Sequence, residues 1–203
     1  MIVLNDLYTG YSRNSPLLTA FNYQFDNKVY GILGESGCGK TTLLRTIAGL
    51  IKPLKGEVII NGERCSKPNK NGVYMMHQNY TSFDWMTCLD NVLISKKVRG
   101  RVADEDRKNA FRILELVKLG EHVHKYPKQL SGGMRQRLAL ARTLFMHPAI
   151  ILIDEPLSAL DGVTRTEMQK LIINLHEKNN NTIIMITHST EEAEKMCDEI
   201  IKL

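Results

Sequence analysis

The chain has 203 residues, 43% of them apolar and 24% charged, enough for one sizeable core with or without a smaller lobe. The formal net charge of +5 fits ordinary solubility. Its one basic cluster (Lys96, Lys97, Arg99, Arg101) lacks the interleaved aromatics of a nucleic-acid surface and reads as a solvated face, and no apolar segment is long enough to span a bilayer.

In chain order the start reads as strands. Ile2–Leu7 is apolar-rich, and Asn5 and Asp6 interrupt it, so no secretory leader is expected. Phe21, Tyr23 and Phe25 alternate with Asn22 and Gln24, the pattern of a half-buried strand. Residues 28–33 form a short apolar run into Gly34-Glu35-Ser36-Gly37-Cys38-Gly39-Lys40-Thr41-Thr42. A helix is predicted over 41–50, then a strand over 57–60 closed by the Asn61-Gly62 turn, then a strand over 72–76.

From about Asp90 to Phe145 the strand signal vanishes. Ala110, Ile113, Leu114 and Val117 share one helical face, and a second helix is predicted over 132–145. His122 and His124 have no third donor nearby and read as surface. The last third alternates strand (149–153), helix (163–178), strand (182–186), helix (189–196) and strand (200–203). Such alternation implies a mostly parallel sheet covered by helices. One domain is expected: an α/β core from 1–80 and 146–203, with 81–145 inserted as a helical lobe. No repeat or low-complexity linker breaks it.

Strand, glycine loop, helix is the context of a phosphate-binding loop. Gly34, Gly39, Lys40 and Thr41 match its fixed positions. Glycines let backbone N–H groups surround phosphate oxygens, and the helix adds its positive end. Lys40 can reach the β and γ phosphates, and the Thr41 hydroxyl can ligate Mg²⁺. The apolar run before Asp154-Glu155 would bring Asp154 to the sheet edge as the metal carboxylate. Glu155, one residue on, could polarise a water for in-line attack. Ser131-Gly132-Gly133 before a helix is either a second anion site or a plain cap with Ser131 as N-cap. Four cysteines (Cys38, Cys65, Cys88, Cys197) lack metal spacing and suit a reducing compartment. Cys38 reads as a small residue fitting a tight loop, with a redox-sensitive thiol as the other reading.

Taken in this order, the motifs resemble the nucleotide-binding subunit of an ABC transporter over essentially the whole chain. The resemblance implies a P-loop, RecA-like α/β fold with N-terminal antiparallel strands, and an ATPase using ATP and Mg²⁺. Tyr11 stands where an aromatic stacks on adenine, and Gly34–Thr42 is similar to the Walker A loop. Gln78 matches the glutamine that senses Mg²⁺ and the attacking water. Leu130–Gln136 resembles the signature, with Met134 in place of the usual Gln, and Ser131 with the Gly133 N–H as phosphate donors. Asp154 and Glu155 match the Walker B acid and the catalytic base. Ser158–Asp161 matches the D-loop, and His188 the switch histidine. His77 and Cys38 also depart from the usual residues, but neither removes an acid, a base, a metal ligand or a phosphate donor.

The implied partners are a second copy packed head to tail, an integral membrane permease that would hold this chain on the cytoplasmic, inner face of the cell membrane and, for an importer, a solute-binding protein. Tyr80, Phe83, Trp85 and Met86 read either as a docking groove beside Gln78 or as packing between lobes. Asp84–Thr87 is similar to importers of the nitrate, sulfonate and taurine type. A soluble relative acting on ribosomes or DNA is the rival reading, weakened by the single motif set and short insert. The chain ends soon after His188, where many relatives continue, so no regulatory domain is expected and a shortened C-terminus stays open.

Overall fold

Alternating burial along the first strands sets up the first sheet. In β1 (Ile2–Thr9), Ile2, Leu4, Leu7 and Thr9 point inward. β2 (Leu18–Phe25) alternates likewise, with Phe21, Tyr23 and Phe25 on the covered side. β1 pairs antiparallel with β2 and with β4 (Lys55–Ile60). β5 (Glu63–Arg64) closes a hairpin with β4 through the Asn61-Gly62 turn, giving the order β2-β1-β4-β5. A strand of two residues carries no periodicity, which is why β5 is not visible in the sequence. The computed structural model describes residues 1–203 apart from Arg13, Ser66, 69–71 and 77–81.

The second sheet has the order β6-β7-β8-β3-β9, from β3 (Val29–Leu33), β6 (Val73–Met76), β7 (Ile150–Asp154), β8 (Thr182–Ile186) and β9 (Glu199–Lys202). β7, β8, β3 and β9 run parallel. Every residue of β3, β7 and β8 is buried, as expected of parallel strands covered on both faces. Ile32, Leu152, Ile184 and Ile186 join Leu43, Leu44 and Ile47 of α1 (Lys40–Ile47) in one core with Ile2, Leu4, Phe25 and Ile60 of the first sheet.

The chain divides into two compact units. One comprises Met1–Met75, Pro148–Glu155 and Leu171–Leu203, and holds both sheets apart from Met76, the last residue of β6. It also holds α1 and α6 (Thr190–Met196). The other comprises Met76–His147 and Pro156–Lys170, so residues 156–170 belong with the helices rather than with the sheets. In it α2 (Cys88–Val98), α3 (Asp104–Leu116) and α4 (Gly132–Phe145) pack on one another, and Val92, Leu93, Ala110, Leu114, Leu138 and Leu144 on them are buried. Asp104, Glu105 and Asp106 complement the N-terminal end of α3. Lys96 and Lys97 of the basic cluster pair with Asp106 and Asp90. The helix α5 (Gly162–Asn179) begins in this unit and ends in the first.

Candidate functional site

Strand register assembles the site. Ile32, one residue before the end of β3, pairs with Ile186, the last residue of β8. Ile186 in turn pairs with Asp154, the last residue of β7. Three C-terminal strand ends therefore lie in one row, and the glycine loop leaves from that row. In parallel α/β sheets, ligands collect outside these ends.

The loop runs from Gly34 to Gly39 and enters α1 directly. Gly39 is the N-cap, with φ 105° and ψ 5°, a left-handed geometry that a side chain would resist. It has no side chain to cap the helix, and the first turn of α1 carries no acid. The helix thus presents unfilled N–H groups and its positive end to whatever anion enters. Glu35, Ser36 and Gly37 are exposed, while Cys38 is half-buried. Lys40 is buried, and its Nζ donates to the Gly34 and Glu35 carbonyls at 2.7 Å each, with Cys38 Sγ at 3.9 Å. The ammonium thereby braces the loop from inside. Thr41 is half-buried, whereas Thr42 is buried, and its carbonyl accepts from Thr46 Oγ1.

Asp154 is 2% exposed at the end of β7. Glu155 turns the chain out of the sheet at φ 53°, a left-handed value that costs a residue bearing a side chain about 1 kcal/mol or more. Its N–H donates to the Ile186 carbonyl at 3.2 Å, which holds it in that turn. The Glu155 carboxylate then meets His188, with Oε1 at 2.7 Å from Nε2. His188 is half-exposed. A carboxylate and an imidazole so close can share or pass a proton, and each can orient a water.

Tyr11 follows β1 and is 69% exposed; Arg45 Nη1 of α1 donates to its hydroxyl at 3.1 Å. Arg45 is absent from the sequence motifs, and its helical offset from Lys40 was the only available signal. A flat, exposed ring tethered to the helix that follows the glycine loop can take a planar base.

In the second unit, Ser131 is the N-cap of α4, and its Oγ accepts from the Met134 N–H at 3.2 Å. The cap uses the backbone of Met134, so the side chain there is immaterial to it. Gly132 is open, but a Cβ on Gly133 would stand 3.1 Å from the Ala159 carbonyl, so the helix and the 157–160 turn touch closely. Gln136 Oε1 accepts from the Ala159 N–H at 3.2 Å, a tie the sequence does not announce. Asp161 caps α5, accepting from the Thr164 N–H at 3.0 Å. That hydrogen bond holds the Asp161 carboxyl below its usual range. Phe83 and the exposed Trp85 meet edge to face at 5.5 Å, with the Arg142 guanidinium 4.9 Å above Phe83. Gln78 and Tyr80 lie outside the described residues.

The described residues contain no group of three or more His, Cys, Asp or Glu side chains able to hold a metal. The Thr41 hydroxyl and Asp154 carboxylate are hard oxygen donors too few for a protein-only cage. They suit Mg²⁺, which is bound by one or two protein oxygens together with phosphates.

A parallel sheet whose strand ends carry a glycine loop, a lysine at a helix start and an acid defines a P-loop NTPase fold. A sequence profile of the ABC transporter family matches residues 22–158, and the chain belongs to that family. It is similar to the taurine import ATP-binding protein TauB of Roseobacter denitrificans, 42% identical over 174 residues, 86% of this chain and 65% of that protein. The aliphatic sulfonates import ATP-binding protein SsuB of Bacillus thuringiensis is 34% identical over 204 residues, 98% of this chain and 80% of that one. The chain thus spans just under two thirds of the taurine relative. Among solved structures, the dimeric ATP-binding cassette MJ0796 in a post-hydrolysis state, bound to ADP and Pi, is similar at a TM-score of 0.89. That match has 30% identity and covers 100% of this chain and 94% of the other.

Proposed function

We propose that this chain binds and hydrolyses ATP as the nucleotide-binding subunit of an importer-type ABC transporter. It would work with a second copy, an integral membrane permease and a solute-binding protein, at the inner face of the membrane. Adenine lies on Tyr11, and the phosphates lie in Gly34–Thr42 against Lys40 and the N-terminal end of α1. Thr41 and Asp154, with Gln78, would hold Mg²⁺, which would supply positive charge to offset that of the phosphates. Glu155 accepts the proton of the attacking water, and His188 holds the γ-phosphate.

The family mechanism supplies the larger logic. Two copies pack head to tail, and Ser131, Gly132, Gly133 and Asp161 of one complete the site of the other. ATP binding closes the dimer, and loss of the γ-phosphate lets it open. The Trp85 surface, beside Gln78 in sequence, is the side that receives the permease.

The observation that carries this reading is the contact between Glu155 and His188, 2.7 Å apart and 33 residues apart in sequence. The Glu155 N–H on the Ile186 carbonyl holds the left-handed turn from which the carboxylate makes that contact. The test is Glu155→Gln. The variant is expected to bind MgATP with unchanged affinity, turn over about 100-fold or more slowly, and accumulate as an ATP-bound dimer. Near-normal steady-state hydrolysis would remove Glu155 from the role of base. A strictly monomeric variant at saturating MgATP, by light scattering, would refute the shared site. Co-purification with a membrane protein, as against ribosomes or DNA, tests the transporter assignment.

A further inference from the structure

His188 stands in a short connection between β8 and α6, and its usefulness depends on what holds that connection still. Its own side chain is half-exposed and spends its contact on Glu155, so the backbone that aims it must be held by other groups. The residues on either side supply them. Before it, the Thr187 N–H donates to the Ile32 carbonyl at 3.3 Å, extending the β3–β8 pairing by one residue. After it, Ser189 caps α6, its Oγ accepting from the Glu192 N–H at 3.2 Å.

Ser189-x-x-Glu192 is the sequence of a capping box, in which the glutamate returns to the N-cap N–H. Here it does not return directly. The Ser189 N–H donates to Thr187 Oγ1 at 3.1 Å, and the Thr187 hydroxyl donates to Glu192 Oε2. A threonine hydroxyl has been inserted into the box, so the glutamate grips both neighbours of His188 at once. Thr187 and Glu192 are both buried. Burying a carboxylate costs free energy, so this contact is an expensive way to cap a seven-residue surface helix.

We infer that Glu192, acting through Thr187, is a positioning residue that sets the His188 imidazole against Glu155. The inference rests on the reading of His188 given above. Removing the carboxylate leaves the Thr187 hydroxyl without this acceptor and frees it to turn from the Ser189 N–H. The bonds from the Thr187 N–H to Ile32 and from the residue-192 N–H to Ser189 Oγ remain. The hydroxyl link that fixes one neighbour of His188 to the other is lost, and a displacement of about 1 Å at a reacting group lowers turnover by on the order of tenfold to a hundredfold.

The experiment measures kcat and the equilibrium MgATP affinity of the full chain, with thermal stability alongside. The variants are Glu192→Ala, Glu192→Gln, Thr187→Val, His188→Ala and the Glu192→Ala/His188→Ala double. Glu192→Ala and Thr187→Val are expected to lose kcat by about tenfold or more with affinity unchanged within about twofold. Glu192→Gln, whose Oε1 still accepts from Thr187, is expected to recover most of the loss. In the His188→Ala background, single-turnover hydrolysis is expected to fall no further when Glu192 is also removed, because a residue that acts on hydrolysis through His188 has nothing left to position.

A further loss in that background, or a fall in melting temperature with kcat intact, overturns the inference and leaves Glu192 a helix cap. If His188→Ala lowers turnover while Glu192→Ala and Thr187→Val do not, this inference alone fails. If His188→Ala itself leaves kcat unchanged, the role given to His188 fails and takes this inference with it.

Discussion

Asn91→Ala is the substitution whose cost can be worked most directly from the structure. Asn91, in the first turn of α2, is fully buried. Its Oδ1 accepts from the Phe83 N–H at 2.8 Å. Its Nδ2 donates to the carbonyls of Phe83 at 3.1 Å, Met86 at 3.0 Å and Thr87 at 2.9 Å. One amide thus folds residues 83–87 around itself and fixes the turn that displays Trp85. Nδ2 has two hydrogens for three carbonyls, so the set is equivalent to about three full hydrogen bonds, and at about 1 kcal/mol each the loss is about 3 kcal/mol. For a urea dependence of about 2–3 kcal/mol per molar, the midpoint should fall by about 1 M. Asn91→Asp should be at least as damaging, because it keeps the acceptor for Phe83 but turns a buried carboxylate on three carbonyls. Trp85 is the sole tryptophan, so its emission and anisotropy report the turn directly. Both variants should loosen Trp85 in native buffer. A midpoint within about 0.2 M of the parent with unchanged Trp85 anisotropy would refute the clamp, since a loss of about 0.5 kcal/mol is no more than a surface substitution costs.

Two further outcomes are expected. Tyr11→Ala should weaken MgATP by about tenfold in equilibrium titration, from lost stacking, while saturated turnover changes little; unchanged affinity would remove Tyr11 from the adenine site. The pH dependence of stability tests the tie between β2 and β9. Burial, then the hydrogen bond to Glu199, pushes the Tyr23 phenol from 10.0 up to about 12. A pKa raised in the folded state favours folding in full below the unfolded value, near 10, and that support is lost as pH rises through 10 to 12. Tyr23→Phe, which cannot titrate, should therefore lose stability less steeply over that window in denaturant titrations. An identical slope in parent and variant would mean that folding, through burial and Glu199 together, does not raise the Tyr23 pKa.

Most of the longer elements and the candidate site residues are legible in the sequence. Parallel strands buried on both faces must be apolar throughout, so β3, β7 and β8 stand out as short apolar runs. The glycine loop is legible because backbone N–H groups can only be aimed at an anion by residues tolerant of unusual φ, as at Gly39. The spacing of Asp154 and Glu155 after an apolar run is legible for the same local reason.

What the sequence could not determine was everything that depends on register between distant strands. Ile32, Ile186 and Asp154 form one row only because β8 pairs with both β3 and β7. That row brings Glu155 onto His188, and local periodicity carries no information about which strands become neighbours. Only the tertiary structure showed Asn91 gathering the Trp85 turn, Gln136 tied to Ala159, and Glu192 reaching past its expected cap to Thr187. A polar side chain's partner is set by which buried donor or acceptor would otherwise be left unmade, and that is decided only once the backbone has been folded around it.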